Sequence, residues 1–231
     1  MKTIGLIGGM SWESTIPYYR ALNEAVKQQL GGLHSARCIL YSVDFHDIER
    51  LQHAGDWSAA GAMLADAARS LEQAGADFIV LCTNTMHKVA SSIEAAVNIP
   101  LLHIADATAM AIKQAGFNRV GLLGTKFTME QPFYRDYLSE QHGIEVLVPN
   151  DAERDSLHQI IYQELCQGVI NADSKQIVRK MMAGLAWQGV DGIILGCTEM
   201  GLLVSKADAA VPLFDTTVLH AKAAVEFALA E

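Results

Sequence analysis

The sequence predicts an α/β protein of two pseudo-symmetric, doubly wound halves, each with a four-stranded parallel sheet, and an active site in the cleft between them. Three observations carry this. Short apolar runs alternate with stretches of helical period, the mark of repeated β-α units. Those runs are nearly continuous rather than alternating, as parallel strands covered on both faces require. The chain also repeats itself. Gly-Ala-Asp-Phe-Ile-Val-Leu-Cys-Thr-Asn-Thr at 75–85 is echoed by Gly-Val-Asp-Gly-Ile-Ile-Leu-Gly-Cys-Thr-Glu at 189–199. Asp77 falls on Asp191, Leu81 on Leu195 and Thr83 on Cys197, an offset of 114.

Taken in order, residues 3–8 form an apolar run closed by Gly8-Gly9, a first strand and its turn. Ser11 and Ser14 offer helix caps, Pro17 suits a first helical turn, and Gly31-Gly32 stops the helix near Leu30. A second strand is expected over 36–43, and over 44–52 a polar loop with room for a helical turn. An Ala-rich helix follows over 57–74, then a strand over 77–82 and a helix from near Thr85 to before Asn98. A fourth strand near 100–104 leads to a helix capped by Asp106 and stopped at Gly116. The pattern then restarts. Arg119 to Gly124 answers Thr3 to Gly8, Pro132-Phe133-Tyr134-Arg135 answers Pro17-Tyr18-Tyr19-Arg20, and Val211 to Phe214 answers Ile99 to Leu102. In the second half, a strand is expected over 144–148 and another over 190–196. Its helices are expected near 152–167, 173–188, from Thr198 and from Thr216. The first domain therefore covers 1–104, joined by a C-terminal helix over 215–231, and the second covers 105–214. In open parallel sheets, ligands bind outside the strand C-termini. The turns at Gly8-Gly9-Met10 and Gly124-Thr125-Lys126 and the loops carrying Thr83 and Cys197 all lie at that end.

Bulk properties exclude several classes. Of 231 residues, 51% are hydrophobic and 19% charged, as in a compact globular protein. The formal charge of −9, from 26 acids against 17 bases and with no basic block, argues against nucleic acid or an anionic membrane as partner. The N-terminus reads as a strand rather than a signal peptide, and the four cysteines form no C-x-x-C pair. A cytoplasmic protein with reduced thiols is expected. Cys38 and Cys166 read as small buried hydrophobes.

Cys197 is different. It ends an apolar strand, follows a glycine and opens a predicted helix, where a thiolate is stabilised and the thiol pKa, ordinarily about 8.5, falls. Thr83, its counterpart, is too weak an acid to serve as a free base but can donate or relay a proton; it also reads as a helix cap. Cys82 is one residue out of phase and is expected to point into the packing between sheet and helix. Asn84 and Thr85 read as substrate hydrogen-bonders or caps, and His87 as a structural histidine. The turn Gly5-x-x-Gly8-Gly9 lacks dinucleotide or P-loop spacing. It is either a plain tight turn or a set of backbone donors for a carboxylate.

Ile79-Val80-Leu81-Cys82-Thr83-Asn84-Thr85-Met86-His87 and Ile193-Ile194-Leu195-Gly196-Cys197-Thr198-Glu199-Met200 resemble the paired signatures of the aspartate/glutamate racemases. Gly8-Gly9-Met10-Ser11-Trp12-Glu13-Ser14 resembles the aspartate branch. The resemblance spans essentially the whole chain. It implies racemisation without pyridoxal phosphate or any other cofactor, and without a metal. One thiolate takes the α-proton and a second thiol returns a proton from the far side. Asn84, Thr85 and Thr198 would stabilise the carbanion, and Met10 would contribute backbone contact. Only one of the family's two cysteines is present, because Thr83 stands where the first belongs. The chain thus resembles an atypical subtype specific for L-aspartate and L-glutamate. In that reading Cys197 deprotonates the L-acid and Thr83, directly or through a water, protonates the other face. Gln52 and Lys126 are the candidates for the substrate's side-chain carboxylate, and the resemblance implies a homodimer. Two other readings stand beside this one. A single-cysteine decarboxylase of the same superfamily would carry an apolar pocket in place of dicarboxylate-binding groups. A non-catalytic amino-acid-binding protein would bind ligand without exchanging its α-proton.

Overall fold

A computed structural model describes residues 1–230. The chain divides into two compact units, one of residues 1–103 with the segment from His220 onward, the other Ile104–Leu219.

In the first unit, β1 (Ile4–Gly8), β2 (Cys38–Ser42), β3 (Phe78–Leu81) and β4 (Leu101–Leu102) form a parallel sheet of order β2-β1-β3-β4. Its helices are α1 (Trp12–Leu30), α2 (Phe45–Ala54), α3 (Trp57–Gln73) and α4 (Ala90–Glu94). Strand period two sorts the core onto two faces. Ile7, Ile79 and Leu81 pack with Ile48 of α2 and with Leu64 and Leu71 of α3. Ile4, Leu6, Phe78, Val80 and Cys82 pack with Tyr18, Leu22 and Val26 of α1. Ala221, Ala224, Val225 and Ala228 of the last helix, α11 (Thr216–Leu229), cover that same face. Each fully buried Leu or Ile in these layers adds about 1.5–3 kcal/mol.

The second unit holds β5 (Arg119–Gly124), β6 (Glu145–Leu147), β7 (Gly192–Gly196) and β8 (Leu213–Asp215), all parallel, in the order β6-β5-β7-β8. Its helices are α5 (Ile104–Gln114), α6 (Lys126–Glu130), α7 (Pro132–His142), α8 (Asp151–Gln163), α9 (Ala172–Trp187) and the single turn α10 (Met200–Leu203). The strand order is that of the first unit, position for position.

The repeated aspartates explain part of this likeness. Asp77 accepts from the Thr3 backbone N–H at 2.5 Å, and Asp191 accepts from the N–H groups of Asn118 and Arg119 at 3.3 and 3.1 Å. Each aspartate ties the start of its unit's third strand to the start of the first. The backbone repeats the link, Asp77 N to Thr3 O at 2.8 Å and Asp191 N to Arg119 O at 2.7 Å.

Several local expectations are corrected. The stretch 44–52, expected as a polar loop with room for a helical turn, is the cap and most of α2. Asp44 caps it by accepting from the His46 N–H, and Ile48 gives it a buried anchor. Pro17 lies in the second turn of α1 rather than the first. The helix expected from Thr85 begins as a 3₁₀ segment, Thr85–Val89, before α4. The helix expected over 152–167 ends at Gln163 and passes into a 3₁₀ turn, Leu165–Gln167.

Candidate active site

In the first unit the site residues gather where β1 and β3 end. Gly9 follows β1 with φ +90°, and a Cβ there would stand 2.3 Å from the Val43 carbonyl oxygen. Only glycine fits this turn. Its N–H, considered as a donor for a substrate carboxylate, is instead given to Thr15 Oγ1 at 2.9 Å, and the Thr15 hydroxyl donates in turn to the Ser11 carbonyl at 2.9 Å. The turn is closed upon its own helix. Met10, next in sequence, is buried in the face shared with α2 and α3.

Thr83 follows β3 directly. Its N–H turns back to the Leu81 carbonyl at 2.9 Å, and only 6% of the residue is exposed. Asn84 and Thr85 are buried beside it. His87 reaches back with Nδ1 to the Thr83 carbonyl at 2.7 Å. A carbonyl only accepts, so Nδ1 carries the proton. Burial together with the charges of His103 and His220 holds the His87 pKa well below its ordinary value, so the ring is neutral. Its ring lies edge-on to His103, centroids 4.5 Å apart, and to His220 at 6.0 Å. His220 Nε2 donates to the Leu102 carbonyl at 2.8 Å and Nδ1 accepts from the Tyr18 hydroxyl at 3.0 Å. Behind Thr83 therefore stand two buried histidines, His87 and His220, that are neutral at neutral pH, and His87 holds the turn through the Thr83 carbonyl.

Gln52 is buried on α2, and its amide nitrogen lies 3.0 Å from the Met86 sulfur, which joins α2 to the Thr83 turn. Cys82 continues the alternation of Phe78 and Val80 and packs on the α1 face. Its thiol is pushed far above the ordinary range by burial.

In the second unit Cys197 follows β7 and is 7% exposed. The expectation of a lowered thiol pKa is overturned. The helix that follows is one turn long, too short for a substantial dipole. Burial, the Glu199 carboxylate and the Cys166 thiol together hold the Cys197 thiol well above its ordinary pKa. Its Sγ donates to Glu199 Oε2 at 3.1 Å, and the Thr198 hydroxyl donates to the same oxygen at 2.8 Å. Cys166, in the 3₁₀ turn after α8, also hydrogen-bonds to Glu199. Glu199 is 2% exposed. A buried carboxylate holding two thiols and a hydroxyl is thus the centre of the candidate residues in this unit.

Lys126 stands apart from that centre. It opens α6, where Thr125 caps by accepting from the Thr128 N–H, and its ammonium pairs with Asp155 on a half-exposed surface. Its backbone N–H donates to His158 Nδ1 at 3.2 Å. Two residues now stand out that the sequence reading did not single out as functional. Glu199 lies two positions after Cys197, and that spacing was its one visible signal. Cys166, read only as a buried hydrophobe, carried no signal at all, because it lies in a turn 33 positions before Glu199 and only the fold brings the two together.

The chain matches the family model described as Asp/Glu/Hydantoin racemase over residues 7–224. A crystal structure from Yersinia pestis, assigned as an Asp/Glu racemase, is 62% identical, covers 100% of both chains and superposes with a TM-score of 0.92. PH1733 from Pyrococcus horikoshii OT3, an aspartate racemase homologue, is 38% identical over 99% of each chain with a TM-score of 0.84. The broad specificity amino-acid racemase RacX of Bacillus subtilis is 26% identical, with 98% of each chain covered. With matching strand orders in both units and a family match across nearly the whole length, the chain is an isomerase of the Asp/Glu/hydantoin racemase family.

Proposed function

We propose that this racemase acts on aspartate and glutamate, works from the L-enantiomer and needs no cofactor. The observation that carries the reading is the thiol of Cys197 and the hydroxyl of Thr83 at matching buried positions just past β7 and β3. A sulfur base can take a proton from a carbon acid near neutral pH; an alkoxide cannot form there in useful amounts.

Cys197 as thiolate takes the α-proton of the L-acid. The Cα–H pair stays on the substrate as a planar carbanion delocalised into its carboxylate. Asn84, Thr85 and the backbone N–H of Thr198, whose hydroxyl stays on Glu199, donate to that developing charge, and Met10 contributes backbone contact. A proton returns to the opposite face from the Thr83 side, through the hydroxyl or a water that it holds. Gln52 and Lys126 receive the side-chain carboxylate. For this, Gln52 must release the Met86 sulfur and Lys126 must leave Asp155. The equilibrium constant of a racemisation is near unity, so the preference for L is one of rate. The active species in this reading is a homodimer, which sedimentation of the free protein checks.

The test follows α-proton exchange in D₂O from each enantiomer separately. Fast exchange from the L-acids and slow exchange from the D-acids is expected. Equal exchange from both, or full activity in Cys197→Ser, overturns the proposal.

A further inference from the structure

We propose that Glu199 is the group through which Cys197 becomes a base, accepting its thiol proton, and that Cys166 is the second thiol that fixes the carboxylate for this task. This rests on the reading of Cys197 as the base for the L-acid and gives it a chemical step it otherwise lacks.

The difficulty is plain from the geometry. The base must be a thiolate, yet Cys197 is buried and its sulfur donates to a carboxylate 3.1 Å away. Burial and the neighbouring negative charge both disfavour the thiolate. The ionisable groups acting on the sulfur are Glu199 beside it and Cys166 from the turn after α8. A carboxylate placed only to balance charge would suppress the base it sits beside. A carboxylate that receives the proton reverses that effect, since its own charge disappears as the thiolate forms. The Glu199 backbone hydrogen bond to Cys197 works the other way from its side chain and favours the thiolate. One residue thus offers an acceptor for the leaving proton and a donor for the anion left behind.

The S–H bond of Cys197 breaks and an O–H bond forms at Glu199 Oε2, giving thiolate and carboxylic acid. The thiolate pair then forms a new S–H bond with the substrate α-proton, and the Cα–H electron pair stays on the substrate. A water on the Thr83 side gives a proton to the carbanion and becomes hydroxide. The proton held by Glu199 neutralises that hydroxide through solvent, which restores the carboxylate. No oxidant, reductant or further reactant enters. Thr198 and Cys166, both bonded to the same carboxylate, hold it in line with the sulfur.

Two measurements on the intact protein test this: thiolate absorbance in the ultraviolet, titrated against Cys197→Ala, and α-proton exchange of L-aspartate in D₂O from neutral to alkaline pH. The wild type is expected to exchange rapidly at neutral pH while showing no Cys197 thiolate. In Glu199→Gln the thiolate should appear at lower pH than in the wild type, because the adjacent charge is gone, and yet exchange at neutral pH should fall about hundredfold or more. Exchange in that variant should then climb with pH in step with thiolate. Glu199→Asp should regain part of the loss. Cys166→Ala should slow exchange several-fold, with Cys166→Ser, which keeps a donor, close to wild type. Undiminished or faster exchange in Glu199→Gln, or a thiolate already present in the wild type at neutral pH, overturns the proposal. The wild-type titration needs no variant to fold. Exchange surviving in Cys197→Ala sinks instead the underlying reading of Cys197, so the two failures are distinct.

Discussion

The turns after β3 and β7 are the same piece of architecture furnished with different chemistry. Both follow a buried central strand, and both strands are tied to the first strand of their sheet by a matching aspartate. After β3 comes a hydroxyl, backed by the neutral His87, which holds the turn through the Thr83 carbonyl. After β7 comes a thiol whose proton points at a carboxylate. The first arrangement is good at staying in place and poor at taking protons. The second is held by hydrogen bonds to one carboxylate, and in the proposed reaction those bonds must rearrange. The repeat thus presents two equivalent positions that differ in the side chain each carries, a hydroxyl after β3 and a thiol after β7.

The sharpest way to break the comparison is to delete each group in turn. Cys197→Ala is expected to abolish both racemisation and exchange from L-aspartate, by about 10³-fold or more. Thr83→Ala should lose racemisation to a similar extent while exchange from the L-acid continues, since the thiol can return solvent deuterium to the face it deprotonated. Parallel polarimetry and NMR exchange on both variants check this. Equal loss of exchange in the two would mean that the turns are not chemically distinct.

The histidine layer makes the first unit the acid-sensitive one. Burial is the main cause that lowers the His220 pKa from 6.5 to about 4. The unfolded chain therefore binds a proton that the folded one refuses. This contribution is complete above about pH 6.5 and is lost as pH falls toward 4. Over that window it amounts to about 3 kcal/mol, and His87 acts in the same direction. Urea unfolding at neutral pH and near pH 4.5 should show the decline, and His220→Gln should flatten it.

The turns after the first strands differ as well. Gly9→Ala forces a side chain into positive φ and against the Val43 carbonyl, and is expected to cost about 2 kcal/mol or more. Thr125→Ala, in the second unit, loses only a cap and should cost about 1 kcal/mol. Denaturant midpoints of the two variants compare them directly. One further variant restores the symmetry. Thr83→Cys should raise exchange from D-aspartate about tenfold while leaving exchange from the L-acid within a few-fold, because a new sulfur still lacks a carboxylate placed as Glu199 is.

Most of the fold could be read from the residues. Continuous apolar runs and a repeat offset of 114 suffice for two parallel sheets, and Asp77 and Asp191 even carry the same structural duty. What stayed hidden were properties that burial and tertiary contact create. The segment 44–52 looks polar, but Ile48 against α3 and the Asp44 cap make it helical. The Cys197 thiol stands at a strand-to-helix junction that suggests an acidic sulfur. Burial and a neighbour two residues away reverse the sign. Gln52 shows no apolar period of its own, yet it is buried against Met86. In each case the local sequence states a preference and the packed neighbours decide it.

The last helix bears on how the protein is made. α11 begins within the second unit, yet the alanines and valine it buries complete the first, against Leu6, Phe78 and Val80. The Lys2 N–H donates to the Ala228 carbonyl at 2.8 Å, so opposite ends of the chain meet there. The second unit is one contiguous segment and can close its core as soon as Leu219 has left the ribosome. The first unit leaves earlier but waits with one apolar sheet face covered by α1 alone, on the order of ten seconds at ordinary synthesis rates. The half that emerges first is thus the half that finishes last, and until its final helix arrives it is the part of the nascent chain most exposed to chaperones and to aggregation.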